Sequence, residues 1–413
     1  MAVSKGPIAL LACEAGKPFA EKLAAQLKEK YGEENTLVPV KETHFGSSEI
    51  KTEILESVRG KDVYIVQDIE NSVCGQWEEV SPEKVQPVPP VEEGTSVKVF
   101  RTYTIDENYR SLITLIDAAR RSDAKSITII VPTFPYARQH KAIGRESITA
   151  SVVARELEQL GVERVMTLDI HKPEVGGFFR KTILDNFMPG RRMMDHLKKL
   201  PWYDKKMLVV SSADQGGVPR ANFFAQTLGA PVVTIYKQRD YSQPNVVEKA
   251  GLLGNVQWVS KTQEQQLGSI KELAHKPVTE MNQQVIFQQC FQDMERIKEV
   301  LHVEKEGMDV VIPEDMICTG GTIVKACELL IKKGARSVMP LCSLPLFNGK
   351  AVERMNELFN MGMIKGVMGT NAVYHGNDFA EKNPWYIEVP IDDMFAEAIY
   401  RINHMQAITD LLN

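Results

Sequence analysis

The stretch with the most structural information is Val310–Thr322, VVIPEDMICTGGT, in which a hydrophobic strand runs into two acids and a glycine-rich turn. Glycines let backbone N–H groups close around a phosphate, threonine hydroxyls add donors, and the start of a helix favours the anion. Glu314 and Asp315 repel phosphate, so they suit sugar hydroxyls, either directly or through Mg²⁺. The pattern predicts a buried strand, a phosphate-binding turn at Thr319–Thr322 and a helix that starts there.

Similar apolar runs recur along the chain and alternate with amphipathic segments. The runs are nearly continuously apolar, as strands covered on both faces must be; they are Val63–Gln67, Ile127–Pro132, Val165–His171, Met207–Asp214 and Val232–Lys237. The segments with helical periodicity are Pro18–Tyr31, Tyr109–Arg121, Ile148–Leu160, Pro219–Leu228 and Ile323–Lys333. This alternation predicts an α/β fold with parallel sheets, in which ligands bind at the carboxyl ends of strands. A length of 413 residues suggests two domains.

Composition and charge exclude several classes of protein. The net charge of -5 speaks against a nucleic-acid binder held by phosphate contacts. The 6 cysteines are scattered without a CxxC pair. No stretch approaches the roughly 20 apolar residues that span a bilayer, and the N-terminus lacks a convincing secretion signal. We therefore predict a soluble, cytoplasmic protein with reduced thiols and with neither a nucleic-acid nor a membrane partner.

Two segments interrupt the strand–helix alternation. Residues 71–104 are rich in Pro, Glu and Val, and residues 257–306 form a Gln-rich stretch that is compatible with helix. Neither contains an obvious set of ligand-binding side chains. We interpret both as surface insertions that modify assembly or regulation.

Four further loops follow predicted strands and carry side chains suited to a polyphosphate. YARQHKAIGRESITA (Tyr136–Ala150) brings arginines, whose planar and permanently charged guanidinium groups suit phosphates. TLDIHKPEVGGFF (Thr167–Phe179) places a histidine at a strand end, and SSADQGGVPR (Ser211–Arg220) joins an acid to two glycines. In YKQR (Tyr236–Arg239), a lysine and an arginine at alternate positions of an extended segment point the same way. Such a pair can stabilise charge that shifts during phosphoryl-type transfer.

In this order the motifs resemble those of the ribose-phosphate pyrophosphokinase family, and Lys41–Gly60, KETHFGSSEIKTEILESVRG, is similar to its adenine-binding stretch. Phosphoribosyltransferases share the TGGT loop but lack the YARQ segment and the lysine–arginine pair. The resemblance extends to Pro390–Met405 and implies two phosphoribosyltransferase-like domains, each a parallel β-sheet flanked by helices. We expect residues 1–187, with the C-terminal helix 395–413, to form the first domain, with the insertion 71–104. Residues 188–394 are expected to form the second, with the insertion 257–306.

The resemblance also implies the reaction and its residues. A pyrophosphoryl group would pass from ATP to the 1-hydroxyl of ribose 5-phosphate, with Mg²⁺, in a homo-oligomer built from dimers, as in hexameric relatives. The expected catalytic pair is Lys237 and Arg239. The residues expected to bind ATP are Phe45, Ser47, Glu49, Arg138, Gln139, Arg145 and His171. Those expected to bind ribose 5-phosphate are Asp214, Gly216, Gly217, Glu314, Asp315, Thr319, Gly320, Gly321 and Thr322. The expected Mg²⁺ ligands are His171 and Asp214.

Departures from the family pattern leave alternatives open. Ser47 stands where an Asp or Asn is usual, and His140 replaces the usual acid after YARQ. The loops read the ribose near its reacting hydroxyl, so a larger 5′-phosphorylated ribose such as ADP-ribose is an alternative substrate. A non-catalytic regulatory homologue would share the fold, but it would have a damaged catalytic pair.

Overall fold

The first sheet has five strands in the order β1-β4-β7-β8-β9, and all its neighbours are parallel. The computed structural model describes residues 4–80, 97–239, 247–253 and 307–412, and their side chains except at 79, 80, 97, 236–239 and 247–253. The strands are β1 (Ile8–Ala12), β4 (Asp62–Val66), β7 (Ser126–Ile130), β8 (Arg164–Leu168) and β9 (Ile183–Phe187). The first three strands are buried throughout, which explains their unbroken apolar character.

Helices α1 (Lys17–Tyr31), α2 (Ile105–Arg121) and α3 (Thr149–Gln159) belong to the first half of the chain. Helix α1 ends at Gly32, whose φ of 71° is the left-handed conformation that stops many helices. Helix α2 begins with a capping box, because the Thr104 side chain accepts from the Glu107 backbone while the Glu107 carboxylate accepts from Thr104 N–H. The end of α1 and the start of α2 therefore follow from the sequence.

Two antiparallel hairpins project from this half. One pairs β2 (Val40–His44) with β3 (Ile50–Ile54). The other pairs β5 (Gly75–Val80) with β6 (Val97–Thr102). The second hairpin lies inside residues 71–104, the stretch interpreted above as a surface insertion, and it gives residues 75–80 and 97–102 a regular strand structure. The insertion 257–306 lies outside the described residues.

The second sheet has seven strands in the order β12-β11-β10-β13-β14-β15-β16. They are β10 (Leu208–Ser212), β11 (Val232–Arg239), β12 (Val247–Leu253), β13 (Asp309–Met316), β14 (Ser337–Leu344), β15 (Val367–Thr370) and β16 (Tyr386–Val389). Its helices are α4 (Gly190–Leu197), α5 (Val218–Leu228), α6 (Gly321–Lys332), α7 (Ala351–Asn360) and α8 (Phe379–Lys382). The edge strand β12 is antiparallel to β11, and the other pairings are parallel.

The last helix, α9 (Asp392–Asn403), returns to the first half and packs against α1. Tyr31 and Tyr400 stack with ring centroids 4.3 Å apart. Asn403 donates to the Asp62 carboxylate over 2.9 Å. One hydrophobic core thus includes residues of both halves. The domain limits given above stay a prediction, and no helix in the described ranges is long and apolar enough to cross a membrane.

Candidate active site

The carboxyl ends of β8 and β13 meet through His171 and Asp315. His171 Nδ1 lies 2.6 Å from Asp315 Oδ2, although His171 follows a strand of the first sheet and Asp315 lies on a strand of the second. Burial opposes ionisation of Asp315, but the hydrogen bond with His171 and the nearby charge of Arg220 outweigh it and lower the pKa of this carboxyl. The contact therefore joins the predicted nucleotide-binding residue to the predicted ribose-binding residue.

A second link across the two sheets involves residues to which the sequence assigned no role. Asp169, which follows β8, is nearly fully buried and forms a two-point ion pair with Arg220 on α5. Ser343 on β14 also donates to Asp169. Asp169 has a positive φ of 42°, an uncommon backbone conformation that the surrounding contacts must hold. The motifs TLDIH and GGVPR contain both partners, but only the fold brings them together.

The loop after β10 folds around Asp214. Its Oδ1 accepts hydrogen bonds from Gly216 N–H at 2.8 Å and from Gly217 N–H at 3.2 Å. Gly216 and Gly217 are expected to bind ribose 5-phosphate, whereas here the backbone N–H groups of both are directed at the Asp214 carboxylate. The loop therefore already gathers backbone N–H groups around one anion.

Glu314 carries the strongest electrostatic signal in the site. Its Oε1 is buried and has no hydrogen-bond partner in the described part of the chain. Burial, followed by the charges of Asp315 and Asp214, raises the pKa of Glu314 to about 8. A buried polar atom without a partner is costly, so this oxygen suits a ligand that brings a hydroxyl or a cation.

The glycine turn lies at the start of α6, as the sequence predicts. Gly320 has a φ of 74°, and a Cβ added there would lie 3.0 Å from Met355 Cε. Arg354 on α7 donates to the Thr319 carbonyl oxygen, so a guanidinium group lies beside the turn. The sequence patterns did not indicate Arg354, because this residue belongs to a later helix. The turn, Thr322 and the N-terminus of α6 form a site for a phosphate.

The loop after β7 reaches the same region. Arg138 Nη1 donates to Cys318 Sγ over 3.2 Å, which places this predicted ATP ligand beside the glycine turn. Gln139 Oε1 accepts from Thr149 Oγ1 at 2.6 Å, so the start of α3 orients its amide. Arg145 is exposed and has no hydrogen bond or ion pair within the described ranges. The structure therefore brings Arg138 to the site and leaves Arg145 in solvent.

Phe45, Ser47 and Glu49 form the tip of the β2–β3 hairpin. Phe45 is 46% exposed, and Ser47 Oγ donates to the Glu49 carboxylate over 3.0 Å. Among the described residues, no hydrogen bond or ion pair connects this tip to His171 or Asp315.

The predicted catalytic pair lies on β11. The register of β10 with β11 ends at Ser212 and Thr234, so Lys237 and Arg239 lie on the part of β11 beyond that pairing. Their side chains lie outside the described residues. Their role stays a prediction.

The donor set fits a cation that is shared with a substrate. In the ranges that the structure describes, no three His, Cys, Asp or Glu side chains gather as a complete metal site. His171 and Asp214 are an imidazole and a carboxylate with accessible surface. Mg²⁺ usually keeps waters and is bound through one or two protein ligands together with substrate phosphates. These residues therefore fit Mg²⁺ as partial ligands.

Two parallel sheets with an acid pair, a glycine turn and a helix N-terminus at one strand end define a phosphoribosyltransferase-like protein. Residues 8–161 match the N-terminal domain of ribose phosphate pyrophosphokinase, and residues 187–355 match the phosphoribosyl transferase domain. The chain belongs to the ribose-phosphate pyrophosphokinase family. The order of the sequence motifs is in agreement with this assignment.

Relatives and a solved structure agree with it along nearly the whole chain. The chain is 28% identical to the ribose-phosphate pyrophosphokinase of Chlorobaculum tepidum over 409 residues, which cover 98% of this chain and 95% of the relative. It is 28% identical to that of Bacillus subtilis (strain 168) over 379 residues, with 90% and 88% covered. The phosphoribosylpyrophosphate synthetase of Mycobacterium smegmatis shares the fold, with a TM-score of 0.67, 23% identity and coverage of 96% and 98%.

Proposed function

We propose that this protein is a ribose-phosphate diphosphokinase. It transfers the β,γ-pyrophosphoryl group of ATP to the 1-hydroxyl of ribose 5-phosphate, giving phosphoribosyl pyrophosphate and AMP. The observation that carries the proposal is the 2.6 Å contact between His171 and Asp315. It brings a nucleotide-binding loop of one sheet and a sugar-binding strand of the other within one hydrogen bond.

In this proposal the sugar lies along β13 and α6. The turn Thr319–Thr322 and the α6 N-terminus hold the 5-phosphate, and Arg354 adds a positive charge beside it. Asp315 and Glu314 accept hydrogen bonds from the ribose hydroxyls. The buried Glu314 oxygen then gains the partner that it lacks.

Arg138 holds the nucleotide phosphates, and Gln139 contacts the nucleotide from the same loop. Arg145, which is exposed in the free protein, is proposed to reach the phosphates when the nucleotide is bound. The 1-hydroxyl oxygen attacks the β-phosphorus in line and loses its proton to water, the bond from that phosphorus to the α–β bridging oxygen breaks, and AMP leaves. Lys237 and Arg239 stabilise the negative charge that shifts between these oxygens. His171 and Asp214 would hold Mg²⁺ together with the substrate, and the bound ion would neutralise part of the phosphate charge.

The adenine site is the part that a single chain leaves incomplete. Phe45, Ser47 and Glu49 lie on an exposed hairpin tip, so we propose that they bind the nucleotide of a neighbouring copy. The protein is then a dimer-based homo-oligomer. We also propose a cytoplasmic location, which agrees with the free thiols of Cys13, Cys74, Cys318, Cys327 and Cys342.

The test is formation of AMP from ATP and Mg²⁺ with and without ribose 5-phosphate. We expect AMP only when the sugar phosphate is present, together with a pyrophosphorylated sugar. Lys237→Ala should lower turnover by orders of magnitude with little change in ribose 5-phosphate affinity, because its interaction belongs to the transition state. The exposed Lys206→Ala is the matched control. AMP release only with ADP-ribose would identify ADP-ribose as the substrate in place of ribose 5-phosphate. No AMP with either sugar would refute the activity.

A further inference from the structure

His140, in the loop after β7, has an unusual environment. Its Nδ1 is buried and has no hydrogen-bond partner in the part of the chain that the structure describes. Its ring centroid lies 5.8 Å from that of His171, with the ring planes 66° apart. A buried ring nitrogen of this kind needs a partner, and no described protein group supplies one. The neighbouring ring is that of His171, a residue that we have assigned to the metal.

His171 is already oriented to bind a cation. Its Nδ1 is engaged by Asp315 at 2.6 Å, and Nε2 has no hydrogen-bond partner among the described residues. A carboxylate on one ring nitrogen fixes the ring and makes the other nitrogen a better metal ligand. His171 therefore offers one nitrogen, and His140 offers a second from the neighbouring strand end.

The separation of the two rings agrees with a shared cation. A metal bound to two imidazoles at about 2.1 Å per nitrogen, with a ligand–metal–ligand angle of about 100–130°, places the ring centroids about 5–6 Å apart. The observed 5.8 Å falls in this range. Since no three protein donors converge in the described ranges, phosphate oxygens of the nucleotide would complete the coordination.

We propose that His140 and His171 form a two-imidazole site for a borderline transition-metal dication, such as Co²⁺, at the nucleotide phosphates. Mg²⁺ prefers oxygen ligands, whereas imidazole nitrogen strengthens binding of transition metals. The enzyme should therefore favour these ions over Mg²⁺ more strongly than a site with a single imidazole. The inference rests on the proposed function only because a polyphosphate completes the site.

Metal binding tests the site independently of turnover. Co²⁺ and Mg²⁺ are titrated into the protein with α,β-methylene-ATP, whose bridging carbon blocks the transfer, and Co²⁺ absorption and heat of binding are recorded. We expect His140→Gln to weaken Co²⁺ binding by at least roughly tenfold and to change the visible spectrum of the bound Co²⁺. Loss of a residue that only hydrogen-bonds to a metal ligand already weakens binding by about this factor. Mg²⁺ affinity should stay within about twofold. His196→Gln is the matched control, because His196 bonds the Arg192 carbonyl within α4.

An unchanged Co²⁺ spectrum and affinity in His140→Gln would overturn the site. Equal losses for both metals would also overturn it, because His140 would then act on the nucleotide. If the Gln variant unfolds, His140→Asp carries the same test, since an oxygen ligand should move the preference towards Mg²⁺. A wild type that forms no AMP with any metal would refute the proposed function and leave the Co²⁺ measurement valid.

Discussion

At the scale of the residue, Glu314 makes the site sensitive to pH. Its pKa is raised to about 8 in the folded protein, against about 4.5 in the unfolded chain. The unfolded state therefore loses its proton first, and the folded state becomes less stable as pH rises from about 4.5 to about 8. Above that pH the carboxylate is ionised in both states and the penalty is complete.

Glu314→Gln should remove this part of the pH dependence. Without divalent cations or substrates, we expect the variant to be more stable than the wild type at pH 8 by a few kcal/mol, and about equally stable near pH 4. Urea unfolding at several pH values measures the difference. A constant difference between the two proteins at all pH values would mean that Glu314 is not the titrating group. The variant should also bind ribose 5-phosphate more weakly, because the amide accepts fewer hydrogen bonds.

We expect that removal of the ion pair between Asp169 and Arg220 lowers the stability of the fold and changes the turnover number. Asp169→Asn leaves a partly buried guanidinium without its main partner, which costs about 3–5 kcal/mol in comparable buried pairs. Because His171 lies two residues further along the same loop, turnover and the divalent-cation dependence should change as well.

The matched control for that variant is Asp185→Asn. Asp185 is also buried and pairs with Arg164, but both lie on neighbouring strands of the first sheet, away from the site. We expect a comparable loss of stability in both variants and a change in cation dependence only in Asp169→Asn. If the divalent-cation dependence of turnover is the same in the two variants, the Asp169–Arg220 pair has no role in positioning His171.

At the scale of the element, the turn into α6 depends on backbone conformation. Gly320→Ala puts a Cβ at a φ of 74° and 3.0 Å from Met355 Cε. We expect the KM for ribose 5-phosphate to rise by roughly tenfold, equivalent to about 1.4 kcal/mol, with little change for ATP. Gly32→Ala has a similar φ of 71° and open space around the added carbon. This control should lose stability by about 1–2 kcal/mol without a change in either KM.

The regular elements were predictable where local chemistry determines them. The strand predicted at Ile127–Pro132 is found at Ser126–Ile130, because a continuous β-branched run has few alternatives to a buried parallel strand. The β5–β6 hairpin was missed, because 16 residues between Val80 and Val97 separate its strands and hide their pairing. The Asp169–Arg220 pair was also missed, because its partners are 51 residues apart. Local sequence patterns predict where a loop lies. They do not predict which distant residue a side chain of that loop contacts, because that contact depends on the fold.

In the whole molecule, each complete site is proposed to contain residues from more than one chain. The hairpin tip with Phe45 is exposed, whereas His171 and Asp315 lie where the two sheets meet. If a neighbour supplies Phe45, then Phe45→Ala and Lys237→Ala damage different contributors to one shared site. Mixing the two weak variants under conditions that exchange subunits should restore part of the activity, since some sites then receive both intact residues. Each variant mixed with itself is the control, and no recovery after exchange would place the complete site within one chain.

One site at the junction of the two sheets is proposed to transfer the pyrophosphoryl group. The most direct measurement follows ATP that is radiolabelled at its β-phosphate, with ribose 5-phosphate and a divalent cation. We expect the label to pass to the sugar product and unlabelled AMP to form in equal amount. Label that stays in ADP, or that appears only as inorganic pyrophosphate without a labelled sugar, would contradict it.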